Sequence, residues 1–224
     1  MRGTNGTKKR KDEKGGMIQG VIALCSRGLV HSRTINSLWR AIPPGWRPYW
    51  ELLTTDDKPI PLAQNIITEQ ALALDPQYIW YVEEDMGLPP GILVDMFNVG
   101  KPVVTVDYNI GRYDQDKREW VTVLKAIRRE HTGKIRVCGM GCLLVQARVF
   151  AHLQKPYFDT LAINREGGVY GNHLEYGGQD GYFSRNLTIH GFEISEIPGE
   201  VKHYRLADPG SITSNKGVHR IIEL

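Results

Sequence analysis

The sequence predicts one α/β domain with a mostly parallel central sheet and helices on both faces. Three observations lead there. Short apolar strands alternate with segments of helical spacing, the pattern of a parallel sheet with crossover helices. The run Tyr78-Ile79-Trp80-Tyr81-Val82 is apolar without a polar break, which suits a strand covered on both sides. At 224 residues the chain is long enough to bury one sizeable core.

The elements follow in order. Residues 1–16 hold Lys8, Lys9, Arg10, Lys11 and Lys14 in a polar, aperiodic stretch, which reads as a disordered basic tail. Its charge suits a solvated tail or contact with an anionic surface. The folded body is expected over 17–205, with a C-terminal extension over 206–224. Ile18 to Cys25 reads as a buried first strand running into the polar turn Ser26-Arg27-Gly28. Small and polar residues at that place suit a phosphate or nucleotide contact. Thr34 to Ile42 has helical spacing and is stopped by Pro43-Pro44-Gly45. Trp50 to Thr54 is a second strand, followed by Asp56 and Asp57. Ala63, Ile67, Ala71 and Leu74 mark one face of a helix that Asp75-Pro76 closes.

The apolar strand with the acidic exit comes next. Pro89-Pro90 then opens a short helix with Leu93, Met96 and Phe97 inward and Gly100 as its stop. Val103 to Val106 is another strand. Residues 107–137 are polar and charged; they predict a mobile excursion with a helix around Val121 to Arg129. Leu143 to Val145 is a strand, Ala147 to Leu153 a helix, and Gly181 to Ile189 a further helix that Gly191 ends. A strand beginning at Phe192 and the segment Val201 to Tyr204 close the pattern.

Composition narrows the function classes. The net charge of +3 is carried by the tail, so the body is nearly neutral and does not resemble a dedicated nucleic-acid binder. No apolar run approaches the ~20 residues of a membrane span, and the polar start lacks a signal-like apolar core. Cys25, Cys138 and Cys142 read as reduced, buried thiols, and the expected compartment is the cytoplasm. No Walker or GxGxxG signature is present. Of the five tryptophans, Trp39 and Trp80 are expected in the core. Trp120 and Tyr113 fall in the polar excursion, where a flat ligand could meet them.

Glu83-Glu84-Asp85 is the chemical feature. Three carboxylates at a strand exit repel one another. Either a hard divalent cation offsets the repulsion or the acids cap a following helix. Alternation along a strand turns Glu84 away from its neighbours.

With these pieces in order, the chain resembles the GT-A fold, a Rossmann-like arrangement, of the large inverting family of nucleotide-sugar-dependent glycosyltransferases. The resemblance spans roughly Ile18 to Tyr204. It is carried by the first strand and its turn, by Ala63-Gln64-Asn65 opening a helix, and by Glu83-Glu84-Asp85 at the place of the family's DxD motif. Gly141 to Val145, Gly178-Gln179-Asp180 and His203 complete it. It implies a metal-dependent transfer of a sugar from a nucleoside-diphosphate sugar to an acceptor hydroxyl, with Mn2+ or Mg2+ as cofactor. Asp85, Glu83 and His203 stand at the metal positions, with Glu83 alternatively on the donor ribose. Ser26, Arg27, Asp56, Asn65 and Glu83 stand at donor positions. Asp180 stands at the general base, where inversion follows from one direct displacement; a plain helix cap is the other reading of Asp180. The acceptor is a glycan, a protein or a modified nucleic acid. The chain departs from the pattern at Glu83, where the family has Asp, at Gln64, where it has Arg, and at Gln179, where it has Glu. A nucleotidyltransferase of related fold and a catalytically inactive binding module are the alternatives.

Overall fold

The computed structural model describes residues 19–26, 29–55, 58–114, 116, 119–159, 178–206 and 221–223. The first strand, β1 (Gly20–Cys25), is buried along its whole length. Helix α1 (Ser32–Ala41) is capped by His31, whose side chain accepts the Arg33 amide. It ends at Ile42, which the following Pro43 favours in the extended form it adopts. A 3-10 turn (Arg47–Tyr49) leads into β2 (Trp50–Thr55). Helix α2 (Ile60–Ala73) buries Ala63, Ile67 and Ala71 as their spacing predicts. Its chain reverses at Asp75 in the left-handed region, which Asp tolerates.

Strand β3 (Tyr78–Glu83) is followed at once by the two-residue β4 (Met86–Gly87) and by α3 (Ile92–Asn98). Then come β5 (Val103–Asp114), β6 (Glu119–Lys125), β7 (Arg128–Arg129) and β8 (Ile135–Val137). Strand β9 (Cys142–Gln146), a 3-10 turn (Ala147–Ala151), α4 (Gln179–Ile189), β10 (Ser195–Leu206) and β11 (Ile221–Glu223) complete the order.

The sheet runs β2-β1-β3-β9-β5-β10-β11, with β4 on β10 and β6 on β5. Strands β2, β1 and β3 are mutually parallel, as are β5 and β10. The antiparallel β9 between β3 and β5 joins the two groups in one direction. The central sheet is therefore mostly parallel, as the alternation of elements predicts.

Alternation along β1 and β3 divides the core in two. Val21, Ala23, Ile79 and Tyr81 pack with Ile67 and Ala71 of α2 and with Phe183 and Leu187 of α4. Ile22, Leu24, Trp80 and Val82 pack on the opposite face with Leu38 and Ala41 of α1 and with Leu93 and Met96 of α3. Each large side chain fully withdrawn from water contributes about 1.5–3 kcal/mol. Polar groups at the first cluster are satisfied: Thr68 Oγ1 lies 2.6 Å from the Tyr81 hydroxyl, and the Cys138 amide donates to Ser184 Oγ at 3.1 Å.

Three expectations are corrected. The helix around Val121 to Arg129 is absent; that stretch is β6 and β7, and β6 pairs antiparallel with β5 from Asn109↔Lys125 to Asp114↔Glu119. Val121, Thr122 and Val123 favour a strand once β5 offers an edge. The helix over Ala147 to Leu153 is only the five-residue 3-10 turn. Trp39 lies 40% exposed on α1, while Trp80 is fully buried as expected. The backbones of Tyr113 and Trp120 pair across the β5–β6 ladder. All three cysteines are free and buried. The basic tail lies outside the described residues; of the C-terminal extension, β11 pairs with β10. Among the described residues no helix is long and apolar enough to cross a membrane.

Candidate active site

The acidic exit of β3 is folded against the end of β10 by backbone register. Strand β4 pairs antiparallel with β10 at Met86↔His203 and Gly87↔Lys202. The Tyr204 amide donates to the Asp85 carbonyl at 2.7 Å. A break in register between Ile197 and Val201 lets β10 leave its regular ladder with β5 and reach β4 as well. His203 is thereby set beside Asp85, with Nε2 3.1 Å from Oδ1.

Glu83, Asp85 and His203 each offer one ligand atom, and these atoms lie within 4.8 Å of one another. A cation bound at about 2.1 Å by octahedral ligands separates neighbouring donors by about 3 Å and opposite ones by about 4.2 Å. The three atoms need only a small contraction to share one ion. Two carboxylate oxygens and an imidazole nitrogen form a donor set that could hold a divalent cation. His203 is 2% exposed, while Glu83 and Asp85 are half-buried, so the corner opens on the acid side.

Tyr108, on β5, stands behind this corner. Its ring meets the His203 ring edge-on at 5.7 Å. Its hydroxyl accepts the Gly141 amide at 3.0 Å. The phenol leaves no room for side chains at Gly139 and Gly141: a Cβ on Gly141 would lie 2.7 Å from Met86 Cε and 2.8 Å from the Tyr108 oxygen. Burial above all holds the Tyr108 phenol protonated, and the charges of Glu83 and then Asp180 add to this. The phenol thus feels both acids.

The second of these acids is Asp180, in the first turn of α4. The residue is half-buried, but its Oδ1 is shut off from solvent and has no hydrogen-bond partner among the described residues. Burial pushes the carboxyl up to about 7, against Arg128 of β7, which pulls it down. A carboxylate of that affinity takes or gives a proton near neutral pH.

The predicted donor residues are distributed unevenly. Ser26 is buried after β1, its amide donating to Thr55 and its hydroxyl to the Leu29 carbonyl. Arg27 and Asp56 lie outside the described residues. Asn65 is turned toward the loop before α4. Its amide nitrogen donates to the Pro61 and Phe158 carbonyls, and its oxygen accepts the Tyr157 and Phe158 amides. That uses every hydrogen-bonding position of the side chain. Cys25, beside Glu83, is pushed up to about 12, chiefly by burial, so it is an inert thiol.

Three residues of this region escaped sequence reasoning. Tyr108 follows an apolar strand as one more aromatic. His31 looks like an ordinary helix cap, yet its amide donates to the Glu84 carbonyl at 2.9 Å and its ring stacks on Tyr204 at 4.9 Å. Tyr204 itself was read only as the end of a strand. A histidine and an aromatic flanking the ends of two apolar strands were the only available signal. Burial first, then Arg33, holds the His31 imidazole below its ordinary value, with Asp85 opposing.

No family model matches the sequence, and no curated protein matches it. Among solved structures, a crystal structure of A197 from STIV aligns with 85% of this chain and 86% of that chain, at a TM-score of 0.55 and 17% identity. A crystal structure of GalNAc-T7 with UDP, GalNAc and Mn2+ aligns with 84% of this chain and 44% of that chain, at a TM-score of 0.49 and 13% identity. The likeness to A197 is one of fold and extends over most of both chains.

Proposed function

We propose that the chain is a metal-dependent glycosyltransferase that moves a sugar from a nucleoside-diphosphate sugar to an acceptor hydroxyl with inversion. One observation carries the reading: two acids from a strand exit and a buried histidine converge within ligand distance. The raised affinity of Asp180 for a proton supports a base nearby. The resemblance in motif order supports it, and the α/β fold is compatible with it without deciding it.

Glu83, Asp85 and His203 would hold the divalent cation, which when bound neutralises charge growing on the departing diphosphate. Asp180 accepts the proton of the attacking acceptor hydroxyl. The acceptor oxygen bonds to the anomeric carbon as the bond from that carbon to the diphosphate oxygen breaks, and the electron pair leaves on the diphosphate. A single base and a single displacement invert the anomeric centre. Ser26 and the turn after β1 remain the proposed contact to the donor nucleotide.

The test is thermal stability with UDP, GDP, dTDP and CMP, each with and without Mn2+. Binding to the native state raises stability by about 2.7 kcal/mol at a hundredfold excess over Kd. A rise with one diphosphate that needs Mn2+ and vanishes in Asp85→Ala supports the reading and names the donor. A flat response to all four nucleotides would sink it.

A further inference from the structure

We infer that His31 and Arg33, at the start of α1, form the diphosphate-holding wall of the site, beside the three metal-ligating residues. The inference rests on the glycosyl-transfer reading and adds two residues to it. His31 is tied to the acidic exit by its amide on the Glu84 carbonyl, and Asp85 lies close enough to act on its imidazole. The Tyr204 ring is the platform. His31 stacks on it, and the Arg33 guanidinium carbon sits 5.6 Å from its centroid. The platform is itself fixed, because Gly87 of β4 leaves space that the Tyr204 phenol fills.

The donor atom of His31 follows from its cap. Nδ1 accepts the Arg33 amide at 3.1 Å, so it carries no hydrogen. The ring proton is then on Nε2. Nε2–H is left uncommitted by the cap, and His31 is only half-buried. A directed N–H and a guanidinium, held by one aromatic ring beside a cluster of carboxylates, suit a ligand that carries negative charge away from the acids. A diphosphate bridged to a cation at Glu83, Asp85 and His203 has that form. A guanidinium also pairs with phosphate oxygens through two parallel N–H donors.

Isothermal titration of inorganic pyrophosphate into Mn2+-loaded protein tests this, with Mn2+ alone and orthophosphate as separate titrations. His31→Ser keeps a helix-capping hydroxyl and removes the imidazole. Arg33→Met keeps the stem on Tyr204 and removes the charge, and it leaves the cap intact should the first variant fold poorly. Each is expected to weaken pyrophosphate about tenfold, the loss of one charge-assisted hydrogen bond, with Mn2+ affinity within about twofold of the parent. Pyrophosphate affinity unchanged in both variants overturns the inference. So does a matching loss of Mn2+ affinity, since His31 would then act through the metal corner. Absence of Mn2+ binding in the parent overturns the metal reading instead, and the variants still report on the wall.

Discussion

The two acidic regions that act on Tyr108 differ in what surrounds their carboxylates. Asp85 stands at a half-open corner with Glu83 and His203, and its backbone carbonyl is pinned by the Tyr204 amide. Asp180 has its Oδ1 sealed from water, and the pull of Arg128 opposes the effect of burial. The same functional group is thus prepared for opposite tasks. Asp85 shares a hard, charged ligand set; Asp180 is poised to change protonation near neutrality. Environment, not residue type, sets the two carboxylates apart.

The largest expected effect breaks this comparison directly. Asp85→Ala should abolish Mn2+-dependent nucleotide binding and with it turnover. Asp180→Asn should leave that binding intact while lowering turnover by about 10²–10⁴, the usual worth of a positioned base. Calorimetry beside a sugar-transfer assay separates the two. If both variants lose binding equally, the regions are one unit and the division is wrong.

The pH dependence of stability sharpens the same contrast. The Asp180 carboxyl holds its proton more tightly in the native state than in the unfolded chain, where its pKa is ordinary. Between the unfolded value near 4 and the native value of about 7, the native state binds more protons. The Asp180 contribution to stability therefore falls as pH rises through that window and levels off above it. Asp180→Asn removes the ionisation. Its melting temperature relative to the parent should rise from pH 5 to pH 8. A constant offset across that range would mean the carboxyl is solvated after all.

How far these regions could be read in the sequence differs in the same way. The acidic part of the candidate metal corner is legible at Glu83 and Asp85, because an apolar strand ending in acids is a local signal. Its third member, His203, needed the order of motifs, since only the β4–β10 register brings it near. His31 could not be identified in advance: its cap position is local, but its stacking on Tyr204 depends on two distant segments. Strand β6 was misread because Lys117, Arg118 and Glu119 mask its β-branched run, and the edge of β5 that recruits it is not a local property. Asn65 was found by position, yet its hydrogen bonds go to backbone around Phe158, which no pattern within α2 announces.

The wall that Tyr108 forms is the next point of attack. Gly141→Ala places a Cβ against Met86 and Tyr108, both packed under the metal corner. Overpacking of this kind costs about 1–3 kcal/mol, and two neighbours must move here, so the upper part of that range is expected. Denaturant unfolding measures it. A neutral outcome would show that Met86 and the phenol yield freely, and that the wall is soft.

Tyr108→Phe is the smallest change and the most discriminating. It keeps the ring that meets His203 edge-on and removes only the oxygen that accepts the Gly141 amide. Losing one such hydrogen bond costs about 1 kcal/mol net. The charges of both Glu83 and Asp180 act on the phenol. If the wall only fills space, the variant loses that stability and nothing else. If it separates the two acids electrostatically, the midpoint of the pH–rate profile governed by Asp180 shifts as well, while Mn2+ affinity stays with the ring that supports His203. A shift in Mn2+ affinity with an unmoved midpoint would reverse the assignment and tie the hydroxyl to the metal corner.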